Sequence, residues 1–80
     1  MMTPEQDKVI RRLIAEHFAC PVIEVTDDKA FVDDLGADSL DGVEIALRIE
    51  ETFDIEVNDD VLDGITRVGD LMREVGKVLP

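Results

Sequence analysis

Hydrophobic residues near the start of the chain recur every three or four positions, which predicts a first helix. Thr3 stands where an N-cap is expected, Pro4 suits the first helical position, and Gln6 completes a capping-box pattern. Pro21 ends the helix. His17 lies near that end, and we expect it at the surface because a cation there complements the helix dipole. The predicted inner face consists of Val9, Ile10, Leu13, Ile14 and Phe18.

A long loop is predicted over residues 19–37, where the apolar residues lose their helical spacing. Loops of this length are uncommon in compact domains and are often functional. Four apolar residues along the loop are expected to anchor it on the core, namely Val25, Phe31, Val32 and Leu35. Helical spacing returns over Ser39–Phe53, with Asp38 as the expected N-cap of a second helix.

The last third of the chain predicts a short helical turn and a final helix. Asn58 is placed to cap a turn over residues 59–63 that Gly64 ends, and Thr66 is placed to cap the final helix. The inner face of the final helix is expected to be Val68, Leu71, Met72, Val75 and Leu79. The pattern therefore predicts an all-α fold, a small four-helix bundle with three longer helices, one short helix and a long loop between helices one and two.

The second predicted helix carries apolar residues on two opposite sides. At about 100° per residue, the stripe expected to face the core is formed by Ile45, Ala46, Ile49 and Phe53. The opposite side interleaves aliphatic and acidic residues, namely Leu40, Val43, Glu44, Leu47 and Glu51. Because a surface helix needs only one apolar face, this second face predicts a docking surface whose carboxylates steer basic partners. Gly42 falls on the core side, where we expect it to allow close packing of a neighbouring helix.

The length of 80 residues predicts one domain over residues 1–80, and the net charge is −12. Residues 24–63 hold 15 acidic residues against Lys29 and Arg48. This charge argues against nucleic acid and anionic membranes as partners and favours basic proteins. The single cysteine, Cys20, permits no internal disulfide, and no apolar run has the length of a membrane span. We therefore expect a cytoplasmic protein that does not insert into membranes, and we expect it to be a monomer.

Ser39 is the only serine of the chain and stands at the start of the second predicted helix. It is not expected to be a catalytic nucleophile, because the surrounding Gly-Ala-Asp-Ser-Leu-Asp-Gly lacks the G-x-S-x-G pattern and the only histidine lies on another helix. We therefore expect no enzymatic activity. A phosphate ester on Ser39 would instead be stabilised by the backbone N–H groups and the dipole of a helix N-terminus.

Acidic residues of the short predicted turn have a partial EF-hand spacing. Asp59, Asp63 and Asp70 stand at positions one, five and twelve, but Val61 stands at position three. This weak pattern predicts no specific metal site and only loose cation binding by Asp59, Asp60 and Asp63.

The block DLGADSLDGVEIALRIEETFDIEV, with VTDDKAFVDDLG before the serine and ITRVGDLMREV after it, resembles the acyl carrier proteins, whose signature is built on Asp-Ser-Leu. The resemblance implies that Ser39 carries 4′-phosphopantetheine, transferred from coenzyme A by a phosphopantetheinyl transferase with Mg²⁺, and that Asp38 assists at that metal. The terminal thiol of the arm would hold acyl groups as thioesters, and the bundle interior would shelter the acyl chain. The residues that match the family's partner-recognition positions are Leu40, Val43, Glu44, Leu47, Glu50 and Glu51.

The resemblance leaves the pathway open. The leading expectation is a carrier for fatty-acid or related lipid biosynthesis, whose partners are the transferase and acyl-transferring, chain-elongating or chain-modifying enzymes with basic docking patches. The nearest alternative is a dedicated carrier for polyketide synthesis or another specialised acyl pathway, since Gly42, Arg48 and Asn58 depart from residues that are common in the family. An alternative of a different class is an acidic helical adaptor or cation-binding module without a cofactor.

Overall fold

The computed structural model describes residues 2–80, apart from the side chain of Asp59. The helices in this part of the chain are α1 (Pro4–Phe18), α2 (Ser39–Phe53), the short α3 (Asp59–Leu62) and α4 (Val68–Val78), with one 3₁₀ turn at Val22–Glu24. The structure confirms the predicted all-α bundle, with three longer helices, one short helix and a long loop between α1 and α2. None of the described helices is long and apolar enough to cross a membrane.

Local capping contacts begin two of the helices where the sequence predicts. Oγ1 of Thr3 accepts from the N–H of Gln6 at 3.2 Å, and Oε1 of Gln6 accepts from the N–H of Thr3 at 2.9 Å, so the capping box of α1 is confirmed. Oδ1 of Asn58 accepts from the N–H of Asp60 at 2.9 Å at the start of α3. These bonds span two or three residues, and sequence spacing alone can therefore specify them.

The prediction that Thr66 caps the last helix is wrong by one residue. The N-cap is Arg67, and Oδ2 of Asp70 accepts from the N–H groups of both Thr66 (3.1 Å) and Arg67 (2.9 Å). These two backbone bonds, the one from Arg67 first, hold the pKa of Asp70 below its ordinary value. The carboxylate of Asp70 thus organises the start of α4, and a capping hydroxyl is not needed.

The long loop supplies the acceptors that a capping side chain would otherwise provide to α4. The N–H groups of Val68 and Gly69 donate to the loop carbonyls of Lys29 (2.9 Å) and Asp27 (3.0 Å). A Cβ at Gly69 would lie 3.2 Å from the Cβ and the carbonyl oxygen of Asp27, so this close approach favours glycine. The loop is therefore fastened to α4 by main-chain bonds.

The core lies between the inner faces of α1, α2 and α4. Its large side chains without exposed surface are Ile10, Ile14, Ile49, Val25, Val68 and Val75. The predicted inner faces of α2 and α4 are confirmed, with Phe53 half-buried at the margin of the core. Val9 is the exception in α1, where it lies beside the buried stripe and is 36% exposed.

Three of the four predicted loop anchors are confirmed. Val25 is buried, and Phe31 and Leu35 are half-buried against the core. The prediction is wrong at Val32, which is 67% exposed. Residues 31–35 form successive turns, and adjacent residues of a turn cannot all face the core.

Candidate functional site

The junction between the long loop and α2 fixes the position of Ser39. Gly36 has a φ of 72°, a conformation that favours glycine, and the N–H of Ala37 donates to the carbonyl of Phe31 at 2.8 Å. The backbone is extended at Asp38, and α2 begins at the next residue. This turn therefore presents the only serine of the chain at the surface, on the first residue of a helix.

Asp38 and Asp41 cap each other across the first turn of α2. Oδ1 of Asp38 accepts from the N–H groups of Leu40 (2.9 Å) and Asp41 (3.1 Å), and Oδ2 of Asp41 accepts from the N–H of Asp38 at 2.8 Å. The predicted N-cap is thus confirmed. Two N–H groups at this end of the helix already donate to the carboxylate of Asp38. A phosphate ester on Ser39 would therefore lie beside that carboxylate at the N-terminus of α2.

A cavity of about 560 Å³ opens beside Ser39. Small-molecule sites have volumes of about 300–1,000 Å³, so the cavity is large enough to hold part of a ligand. The buried and half-buried residues that line it are all apolar, namely Phe18, Phe31, Ala37, Ile45, Leu62, Ile65 and Leu71. The cavity therefore connects the exposed serine with the apolar interior of the bundle.

The prediction that Gly42 packs closely against a neighbouring helix is wrong. Gly42 is exposed, and a Cβ at this position would meet no atom of another segment within 4 Å. In the first turn of α2, this side of the helix faces the cavity, which Gly42 lines. The absence of a side chain leaves space in the cavity wall next to Ser39.

The outer face of α2 is exposed, as its helical spacing predicts. Leu40, Val43 and Leu47 are 66%, 46% and 52% exposed. Glu44 and Glu51 are exposed beside them. We call these five residues the outer face of α2. It combines aliphatic area with carboxylates, the combination that suits a partner with a basic rim around an apolar centre.

Glu50, which is also expected to recognise partners, has a structural contact. It is half-buried, and its Oε2 accepts from the N–H of Val57 at 2.9 Å, which fastens the segment after α2. Arg48 is the one basic residue of α2. Its Nη2 lies 3.4 Å from Oε2 of Glu16 on α1. This ion pair links α1 and α2 beside the outer face.

The expectation that His17 lies at the surface is wrong. Its side chain is 11% exposed, and its Nε2 lies 2.8 Å from Oδ1 of Asp41 and 3.7 Å from Oε2 of Glu44. The pKa of Asp41 is held below its usual range by the N–H of Asp38 first and by His17 second. Sequence reasoning missed this cluster because His17 and Asp41 are 24 residues apart. The i, i+3 spacing of Asp41 and Glu44 on one helix was the only local signal.

The acidic residues of the α3 region remain candidates for loose cation binding. Asp60 and Asp63 are exposed and line the cavity. The side chain of Asp59 lies outside the described residues. Cation binding by these three residues therefore stays a prediction.

Known proteins are similar to this chain in both sequence and fold. A family model for the phosphopantetheine attachment site matches residues 8–75. The chain is 45% identical to the acyl carrier protein of Caulobacter vibrioides over 64 residues, which cover 80% of this chain and 82% of that protein.

Two solved structures have a similar fold over most of their length. A candidate acyl carrier protein from Mycobacterium tuberculosis superposes with a TM-score of 0.81 at 28% identity, covering 89% of this chain and 95% of its own. The acyl carrier protein of Enterococcus faecalis superposes with a TM-score of 0.76 at 31% identity, covering 95% of this chain and 98% of its own. The similarity therefore extends well beyond a short motif around the serine.

Proposed function

Because the chain belongs to the acyl carrier protein family, we propose that its phosphopantetheine arm is attached through Oγ of Ser39. Members of this family are carriers rather than enzymes, and phosphopantetheine is their cofactor. One observation carries the proposal: the only serine of the chain is exposed on the first residue of α2, beside a cavity whose buried lining is apolar.

Asp38 is proposed to assist the modification. Its Oδ1 accepts the two capping bonds from Leu40 and Asp41. Among the described residues, no hydrogen bond uses Oδ2 of Asp38, so this oxygen is the one proposed to meet the Mg²⁺ of the transferase. The capping bonds hold the carboxylate next to Ser39, which lowers the entropy that would be lost on ordering it in the complex.

The cavity is proposed to shelter the acyl chain that the arm carries as a thioester. Its buried lining is apolar, and burial of an alkyl chain is favourable by about 0.8 kcal/mol for each CH₂ group. A chain that enters from the side of Ser39 would pass Gly42, where no side chain narrows the wall. The cavity thus supports a cargo with an apolar tail.

The outer face of α2 is proposed to dock the phosphopantetheinyl transferase and the enzymes that load, extend or modify the acyl group. Its aliphatic residues provide area to bury, and its carboxylates attract basic patches and set the orientation of the encounter. The proposed pathway is fatty-acid or related lipid biosynthesis in the cytoplasm, served by one carrier domain over residues 1–80. A specialised acyl pathway is the alternative, which the open cavity wall at Gly42 supports.

Intact-mass measurement tests the attachment site. The full chain is incubated with coenzyme A, Mg²⁺ and a promiscuous phosphopantetheinyl transferase. The wild type should gain the mass of one arm, and Ser39→Ala should gain none while keeping its helical circular dichroism. Thr66→Ala removes an exposed hydroxyl elsewhere and is the matched control, which should gain one arm. A full mass gain in Ser39→Ala would overturn the assignment.

A further inference from the structure

The C-terminal end of α1 and the first turns of α2 bring three metal-binding side chains to one point. One ligand atom from each of His17, Asp41 and Glu44 lies within 4.8 Å of the other two. We propose that these three residues form a binding site for a divalent transition metal, with Zn²⁺ as its representative. We call it the His17 site. It lies on α1 and α2 and does not include Ser39.

The ligand set favours a transition metal over Mg²⁺ or Ca²⁺. One imidazole and two carboxylates suit Zn²⁺, with a fourth position open to water, whereas Mg²⁺ and Ca²⁺ prefer oxygen ligands alone. At metal–ligand distances of about 2.1 Å, two ligands of a tetrahedral site lie roughly 3.4 Å apart. The separations from Nε2 of His17, 2.8 Å to Asp41 and 3.7 Å to Glu44, bracket that value. The ligand atoms of Asp41 and Glu44 lie within 4.8 Å of each other, so these two carboxylates have to approach no more than about 1.4 Å to reach that separation.

Two of the three ligands are already held by other contacts. The ring of His17 is 11% exposed and packs edge-on against Phe18, with 5.0 Å between ring centroids. Oδ2 of Asp41 accepts from the N–H of Asp38 at 2.8 Å, and Oδ1 of the same carboxylate meets the imidazole. Glu44 is exposed and has room to turn onto an ion. Ligands that are fixed in advance reduce the entropy lost on binding.

A simple ion pair or hydrogen bond between His17 and Asp41 would also produce the 2.8 Å contact. The third ligand separates the two interpretations. An ion pair of His17 with Asp41 predicts no specific metal binding. The His17 site predicts metal binding that is lost when either His17 or Glu44 is changed.

An ion in the His17 site would have two effects. It would clamp the end of α1 to the start of α2, which stabilises the folded chain because the ion binds the native state. It would also hold Glu44, a residue of the outer face, and so slow docking of basic partners. This second effect rests on the proposed function, whereas metal binding itself does not. A failed metal titration would therefore leave the role of Ser39 unaffected.

Titration calorimetry of the full chain without its arm tests the site, since the thiol of the arm would itself bind Zn²⁺. One Zn²⁺ per chain is expected, and excess Mg²⁺ should not displace it. His17→Gln and Glu44→Gln should each weaken Zn²⁺ binding at least about tenfold. Loss of a residue that only supports a metal ligand already lowers metal affinity by about that factor, and loss of a ligand should cost at least as much.

Two matched controls exclude other ligands. Glu51→Gln removes an exposed carboxylate of the same helix, and Cys20→Ala removes the only thiol of the chain. Both variants should bind Zn²⁺ with wild-type affinity. Loss of binding in Cys20→Ala would overturn the proposal, and so would a loss in Glu51→Gln equal to that in Glu44→Gln.

Nuclear magnetic resonance gives a second readout because His17 is the only histidine. Its imidazole resonances should shift in proportion to added Zn²⁺ up to one equivalent. Circular dichroism should show that every variant remains helical. Imidazole resonances that do not move, or wild-type affinity in His17→Gln or in Glu44→Gln, would overturn the three-ligand site.

Discussion

Leu47 and Ile49 lie two residues apart in α2 but on opposite faces of the helix. Ile49 is fully buried in the core, whereas Leu47 is 52% exposed on the outer face. Their side chains are isomers, so Leu47→Ala and Ile49→Ala remove the same atoms from the same helix. The pair therefore separates the contribution of the core from that of the outer face.

The expected losses in the free energy of unfolding differ clearly. Ile49→Ala should cost about 2–5 kcal/mol, because it removes buried contacts and leaves a cavity. At roughly 0.05–0.15 kcal/mol per residue, a chain of 80 residues has a total stability of about 4–12 kcal/mol. Leu47→Ala removes three methylene equivalents, which contribute about 2.4 kcal/mol when fully buried. Since about half of Leu47 is exposed and no closed cavity forms, its cost should be about 1 kcal/mol or less.

Two assays on the same variants test this reasoning. Urea unfolding followed by circular dichroism should show a large drop in the midpoint for Ile49→Ala and a small one for Leu47→Ala. The rate of arm transfer from coenzyme A should fall in Leu47→Ala, because the transferase loses an apolar contact. Rates are compared under conditions in which both variants are folded. Equal destabilisation would refute the two-faced helix, and wild-type loading by Leu47→Ala would refute docking at this position.

Charge and pH provide two further predictions. Glu51→Lys should slow arm transfer by up to about fivefold at low salt, which corresponds to the roughly 1 kcal/mol upper value of an exposed ion pair. The defect should shrink above about 0.15 M salt, where the Debye length is near 8 Å, and a salt-independent defect would contradict steering. Asp70→Asn should lower the melting temperature at neutral pH. The pKa of Asp70 is depressed in the folded chain, so its carboxylate stabilises the fold at pH values above the ordinary aspartate pKa of about 3.9. The difference from wild type should shrink as pH falls below that value and disappear only below the lower pKa of Asp70 in the folded chain, and a constant difference would count against this origin.

The sequence alone predicted the features that depend on neighbours within about one helical turn. The capping box at Thr3 and the N-caps at Asp38 and Asn58 join residues two or three positions apart. The two faces of α2 follow from helical spacing in the same way. Ser39 could be singled out because it is the only serine and stands where a helix begins. These features need no knowledge of how the helices pack.

Tertiary structure decided what those local features face. His17 lies beside Asp41 because the end of α1 packs on the start of α2, which the spacing within either helix does not specify. Thr66 does not cap α4, because the carboxylate of Asp70 accepts from the N–H groups of Thr66 and Arg67. Carbonyls of the long loop, which is distant in sequence, accept from the first N–H groups of the helix. Gly42 lies on the predicted core side, yet that side faces a cavity in the first turn of α2. Periodicity specifies the direction in which a side chain points from its own helix axis. Whether a helix, a loop, a carboxylate or an open cavity lies in that direction depends on how segments that are distant in sequence pack together.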